Sequence, residues 1–245
     1  MTAPDYAYSA QSTRNPFRYA LAVWRFLRSD TDDDIIPEVA IIEVGFARSR
    51  FGKRLSRWNV ILDRLLQDPA TKGAATQRLV SAPIDLDALK ELEDGCIGQV
   101  FAEHCSNRGI NPNLINVPVE EDGDWVLSHL FQTHDIWHVL TGWSNDDVGE
   151  LGLGGFYCGQ LGSPPFFVFL IALSLFKKVM QRDDDIDEHI HAFCAGYRAG
   201  RAAKPLFGID WSSRWEVPLA EQRRLLDIDP MVAKDYGQGI MARAA

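Results

Sequence analysis

The sequence predicts an all-α fold: a single-domain, multi-helix bundle. Three observations predict it. Apolar residues recur at helical spacing through most of the 245 residues. No stretch alternates polar and apolar residues as a half-buried strand would. Proline, glycine and capping residues fall between the periodic segments, and neither an internal repeat nor a linker divides the chain.

The elements follow in order. Residues 1–15 are small and polar and read as a disordered lead. Residues 16–28, PFRYALAVWRFLR, form a first helix. Its Arg18 and Arg25 share a stripe, with Arg28 beside them and aromatic and aliphatic residues around the rest. Such a helix packs on a core or rests on a membrane surface. The acidic run Asp30–Asp34 is a solvated loop. Helical patterns continue over 35–50, 54–67 and 85–106, punctuated by Pro69, Gly73 and Pro83. Residues 107–123 are irregular. Helices then fill 125–141, 145–161, 164–181 and 186–200, and Pro218 opens a last one. The domain is expected to span 16–230, with 231–245 as a flexible tail.

The helix beginning at Ser163-Pro164-Pro165 carries the longest apolar run, FFVFLIALSLF, Phe166–Phe176. It is too short for the ~18 residues that suggest a membrane span. A helix apolar all round is buried or lines an apolar cavity. A net charge of -9 and the lack of a basic stripe argue against nucleic acid as a partner. The four cysteines at 96, 105, 158 and 194 form no C-x-x-C pair and are expected as reduced thiols.

Chemistry concentrates in THDIWHVLTGWSNDDVGE, Thr133–Glu150. On a helix His134 and His138 lie one turn apart, roughly 40° around the axis, with Asp135 on the same arc. Thr141-Gly142 ends that helix, and Ser144 can cap the next, with Asp147 in the capping-box position. His138 and Glu150 are each six residues from Ser144, so an antiparallel hairpin sets them face to face. Two imidazoles and two carboxylates then converge, the ligand inventory of a divalent metal. A lone His-x-x-x-His is common and often idle. Here Ile136, Trp137, Val139 and Leu140 mark a buried helix, where unpaired carboxylates are costly. Gly149, Gly152, Gly154, Gly155 and Gly159 crowd the second helix and predict close approach of a backbone or a ligand. His189 and His191 point apart and cannot share a metal, and His129 faces away from His134.

The motif His134-Asp135-x-x-His138, eleven residues, then Glu150 resembles the signature of the coenzyme Q biosynthesis protein 4 family. The likeness extends through GELGLGGFYCGQLG and through RAGRAAKPLFGIDWSSRWEVPLAEQRRLLDI, and it is strongest over residues 125–228. The resemblance implies an all-helical fold, a role in making ubiquinone, and a divalent metal on His134, Asp135, His138 and Glu150. Zinc is the metal usually described for the family; iron, manganese, magnesium and cobalt stay open. It further implies an apolar tunnel for a prenyl tail, with Gly155, Phe166 and Phe169 as candidate walls.

Two readings follow from this resemblance. In one, the chain is an enzyme that oxidatively decarboxylates and hydroxylates a prenylated hydroxybenzoate, with Asp135 as candidate base. Zinc cannot change oxidation state, whereas two histidines and a carboxylate suit non-haem iron. In the other, the chain is a non-catalytic, lipid-binding scaffold for other ubiquinone-biosynthesis proteins. A third alternative, an HD-type phosphohydrolase, requires His104 or His129 at the same metal. Expected partners are a polyprenylated quinone precursor, a membrane surface and a second copy in a homodimer. Without an Arg-rich, acid-poor leader, the expected setting is a bacterial cytoplasm, peripheral to the inner membrane.

Overall fold

The structure, a computed structural model, describes residues 16–29, 36–55, 58–79, 83–114, 117, 119, 121–181, 185–234 and 236. The expected lead, the loop at 30–34 and the end of the expected tail lie outside the described residues. Among the described residues the chain is all-helical. These residues form thirteen α-helices and one 3-10 turn, with the isolated bridge Cys96–Pro218 as the only β-type pairing among them.

The helices are α1 (Pro16–Arg28), α2 (Ile36–Arg48), α3 (Arg50–Leu55), α4 (Trp58–Gln67), α5 (Lys72–Gln77), α6 (Leu86–Lys90) and α7 (Ile97–Arg108). They continue as α8 (Asp122–Thr141), α9 (Asp147–Leu161), α10 (Pro165–Gln181), α11 (Ile186–Ala202), α12 (Leu219–Leu225) and α13 (Met231–Lys234). The expected helix over 85–106 is two helices. Asp85 caps the first through the Asp87 and Ala88 amides, and Gly95 turns with φ 80° before Cys96 begins the second. Residues 231–234, expected as the start of a flexible tail, form α13 with Ala233 buried.

The core centres on α8. Trp125, Trp137, Ile136 and Leu140 on it are essentially without solvent contact. Burying each such side chain contributes about 1.5–3 kcal/mol. The Trp137 ring stacks on Tyr157 at 4.4 Å and meets Phe156 edge-on at 5.7 Å, which locks α8 to α9. Glycines bring α9 against α11. A methyl group at Gly155 would lie 2.9 Å from the Tyr197 amide nitrogen, and one at Gly200 would lie 3.0 Å from the Phe156 Cα. Only backbones without side chains can approach so closely. The glycine crowding noted in the sequence therefore serves helix packing.

A second, smaller cluster joins α1 and α2 to α10, through Ala22, Phe26, Ile42, Phe169, Leu170 and Leu173. Phe46 of α2 stacks on Phe169 of α10 at 4.7 Å. Arg48, ending α2, pairs with Asp124 in the first turn of α8 at 3.0 Å. Helix α10 is only partly buried: Val168, Phe176, Val179 and Met180 are 46–63% exposed. The four cysteines are free, three buried and Cys194 exposed, as the spacing predicted.

Candidate metal centre

Helix α8 presents the two histidines because its ends are fixed. At its start the Glu121 N–H donates to the Asp124 carboxylate at 3.1 Å. At its end Gly142 turns the chain with φ 81°. The last carbonyls of a helix lack intrahelical donors. Here the Arg223 guanidinium donates to the Leu140 and Val139 oxygens, both at 2.8 Å. Just past the turn, the Trp143 carbonyl accepts the Nδ1–H of His138 at 2.9 Å. That bond assigns the tautomer: His138 keeps its Nε2 lone pair for the site.

The cap of α9 is Asp146, whose carboxylate accepts the Gly149 N–H at 2.7 Å. The sequence had suggested Ser144. The two extra loop residues leave the serine hydroxyl outside the turn, where Gly149 packs against it. Glu150 then falls in the first turn of α9, where the helix dipole favours a negative charge.

The hairpin brings His134, His138 and Glu150 together, with one ligand atom from each lying within 4.8 Å of the others. The two Nε2 atoms are 3.1 Å apart. Glu150 stands 3.1 Å from the Nε2 of His138 and 3.5 Å from that of His134. Ligands bound at about 2.0–2.1 Å in a tetrahedral site are about 3.3 Å from one another. The spacing of the three atoms therefore fits a small divalent cation. Two lone pairs at 3.1 Å repel unless a proton or a cation lies between them.

Asp135, expected as a fourth ligand, is not part of this group. About 60° further around the helix than His138, its charge acts on Cys105 and Tyr157. It still helps to hold His134 charged. His129 lies on the opposite face, accepting the Gly208 N–H at 2.9 Å. His104 stacks over His138 at 6.2 Å without joining the ligand group. Neither histidine completes the arrangement that an HD-type phosphohydrolase needs.

The electrostatics show a site built around positive charge. Burial alone would lower His134, but the Glu150, Asp135 and Glu43 carboxylates raise it to about 9. Burial alone would raise Glu150, but His138 and His134 hold it well below the usual carboxylate range. Burial, with His138 and Arg108 adding to it, pushes His104 down to about 4. The Tyr157 hydroxyl lies 3.3 Å from the Nδ1 of His134, and burial raises its pKa far above that of a free phenol.

Sequence reasoning missed Glu43 and Tyr157, and it weighed His104 only for the phosphohydrolase alternative. Tyr157 is seven residues past Glu150, two turns along the same face, so its position was readable. Glu43 is a lone acid within the apolar run VAIIEVGF, and that was its signal. His104 sits on a helix whose docking has no local sign.

The expected tunnel walls are placed as follows. Gly155 faces α11 at backbone distance. Phe169 is half-buried against Phe46, and the Phe166 side chain lies outside what is described. A cavity bordered by Trp143, Phe156, Ala199, Ile228 and Val232 touches none of the three. Among the described residues no helix is long and apolar enough to cross a membrane.

Comparison with known proteins agrees with the motif. A family model described as "Coenzyme Q (ubiquinone) biosynthesis protein Coq4" matches residues 55–232. A mitochondrial ubiquinone biosynthesis protein COQ4 from Yarrowia lipolytica is 28% identical over 173 residues, covering 68% of this chain and 64% of that protein. A mitochondrial COQ4 homologue from Aedes aegypti is 24% identical over 155 residues, covering 62% of this chain and 56% of the relative. The chain thus matches between half and two thirds of these relatives' lengths. Their names give no support to the bacterial setting expected from the sequence. A crystal structure of a protein provisionally described as a ubiquinone biosynthesis protein, from Nostoc punctiforme, superimposes with a TM-score of 0.70. It is 25% identical and covers 86% of this chain and 97% of its own.

Proposed function

The chain belongs to the coenzyme Q biosynthesis protein Coq4 family, and from that premise we propose that it acts in ubiquinone biosynthesis as a metal-dependent enzyme. Its substrate is a prenylated hydroxybenzoate. The ring carboxylate leaves as carbon dioxide and a hydroxyl takes its place, a two-electron oxidation with dioxygen as acceptor. A cation held by His134, His138 and Glu150 supplies Lewis acidity toward the substrate's oxygen atoms and, if redox-active, the path to dioxygen.

The observation that carries this reading is the openness of the site. Side-chain exposure is 35% at His134 and 42% at Glu150, whereas His138 is sealed. A structural metal is closed on all sides; a catalytic one keeps a free face. The chain's own residues set the rest. The Trp143 carbonyl orients His138. Tyr157 holds His134 from behind and fixes its ring plane. Asp135 adds negative charge that favours the charged form of His134.

The prenyl tail is proposed to lie along α10 near Phe169. The stacked series His134, Tyr157 and Phe167 joins that helix to the site. Exposed Phe17, Leu21 and Trp24 of α1, with Arg18 and Arg28, are proposed as the membrane contact. Arg25 is partly engaged by Glu38 at 3.1 Å.

The test is turnover. Purified chain loaded with single metals receives prenylated hydroxybenzoate in air, and carbon dioxide and product mass are measured. Metal-dependent loss of the carboxylate, abolished in Glu150→Gln, is the expected result. Tail binding without turnover under any metal would replace the enzyme with the scaffold reading.

A further inference from the structure

We propose that His104 is a substrate-binding residue of the centre: its Nε2–H donates to an oxygen atom of the hydroxybenzoate head group held there. The inference rests on the enzyme reading above and adds a side chain from α7, outside the hairpin.

Helix α7 is seated on the C-terminal segment. The Ile97 and Gly98 amides donate to the Val217 and Trp215 carbonyls, both at 2.9 Å. Phe101 stacks on Trp215 at 5.5 Å, and Phe101 and Cys105 are fully buried. That seating holds His104 against α8. Its ring lies 6.2 Å from the ring of His138 and is inclined to it by only 21°. It stands beside a ligand ring without belonging to the ligand group.

The two nitrogens of His104 differ. Nδ1 lies 3.4 Å from a guanidinium nitrogen of Arg108, one turn along α7. A guanidinium only donates, so Nδ1 accepts and the hydrogen sits on Nε2. The same hydrogen bars Nε2 from binding a metal. Nε2 is buried, and among the described residues it has no hydrogen-bond partner. A buried donor without an acceptor is costly, and a phenylalanine would fill the same stack without that cost. Protein encloses the atom, so bulk water does not supply the acceptor. An oxygen that arrives with the ligand of the neighbouring cation does. The head group offers two such oxygens, on its carboxylate and on its phenolate, and hydrogen bonds to charged oxygens are the strong ones. Burial, with His138 and Arg108 adding to it, keeps the imidazole neutral at pH 7. His104 therefore brings a donor to the centre and no further positive charge.

The experiment uses the purified full chain loaded with cobalt(II), whose visible spectrum reports ligand binding. 4-Hydroxybenzoate is titrated in at neutral pH. His104→Phe keeps a ring in the stack and removes the donor, and it should weaken this binding roughly 10- to 100-fold, the usual loss of a hydrogen bond to a charged group. His104→Gln retains an N–H and should recover most of the loss. Cobalt affinity should stay within about twofold of wild type in both variants, since a residue outside the ligand group adds little to it. Benzoate and phenol, titrated separately, identify the oxygen: the probe whose binding His104→Phe weakens carries it. Arg108→Leu, at an exposed position, releases Nδ1 and should weaken 4-hydroxybenzoate by a smaller factor, a check that holds even if the core variant folds poorly.

4-Hydroxybenzoate binding within twofold of wild type in His104→Phe and in Arg108→Leu would overturn the role of His104 and leave the metal centre standing. Equal losses in the Phe and Gln variants would trace the effect to packing and overturn it too. A wild-type cobalt chain that binds none of the three probes would also overturn it. A wild-type chain that binds no cobalt would sink the metal centre and His104's part in it together.

Discussion

Helices α8 and α10 invert one another. Helix α8 carries two site histidines, His129 and three carboxylates, yet it is the most buried helix of the bundle. Helix α10 is the most apolar by sequence, yet one side of it meets solvent. The difference shows that burial here follows function. Four charged or imidazole side chains of α8 are answered by a partner: Trp143 for His138, Tyr157 for His134, Gly208 for His129, Arg48 for Asp124. The exposed valines, phenylalanine and methionine of α10 have no comparable partner within the fold, and such a surface suits a lipid.

The sharpest test of the contrast removes the reason for polarity on α8. Glu150→Gln should weaken divalent-metal binding by at least about 100-fold, since a ligand counts for more than a supporting group. Titration with zinc or cobalt reads this directly. Unchanged affinity would mean that the polar face of α8 is structural. Next, Trp137→Ala should destabilise the fold by about 3–5 kcal/mol in urea unfolding, as a fully buried aromatic side chain does when truncated. A loss below 1 kcal/mol would show that α8 is not the centre of the core.

The third test is pH. In the metal-free chain the raised pKa of His134 adds stability that is fully present below its ordinary 6.5 and is lost as pH rises through about 9. Glu43, raised to about 7, works in the same direction, but its effect is spent by neutrality. Melting temperature should therefore fall between pH 7 and 9, and His134→Gln should flatten that fall. Saturating metal should flatten it as well, because the cation replaces the proton. A wild-type profile that is level over this window would contradict the charge arrangement.

The smallest effect on stability belongs to α10. Val179→Ser with Met180→Ser should change unfolding free energy by less than about 0.5 kcal/mol, as surface changes do. The same pair should reduce binding to anionic vesicles. A second set, Arg18, Arg25 and Arg28 each to Ser, tests whether α1 shares that contact. Full vesicle binding in both sets would break the comparison, leaving the apolar face of α10 without a lipid role.

Much of this was legible in the sequence. The hairpin was readable because its signals are local: a glycine stop at Gly142, a run of capping residues before α9, and ligands at helical spacing; the cap itself was read at Ser144, two residues ahead of Asp146. The extent of α8–α11 followed from the same kind of signal. The break between α6 and α7 was not readable, because Glu91–Cys96 keeps helix-compatible residues and only Gly95 marks the turn. The exposed side of α10 was not readable either, since periodicity cannot say which helices lie alongside. Asp135 shows the limit of angular reasoning. It shares the arc of the histidines, but some 60° of further rotation puts its carboxyl outside the ligand group. Glu43 depends on docking between distant segments, which composition alone does not specify.

Arg223 lies more than eighty residues beyond the carbonyls it holds at the end of α8. The C-terminal segment is therefore a remote fastening for the motif. A stop codon or a proteolytic nick ahead of Leu219 would leave every ligand in the chain and still unclasp the turn that aims His138. Lesions in this tail would present as loss of metal, and an assay of the motif residues alone would misplace their cause.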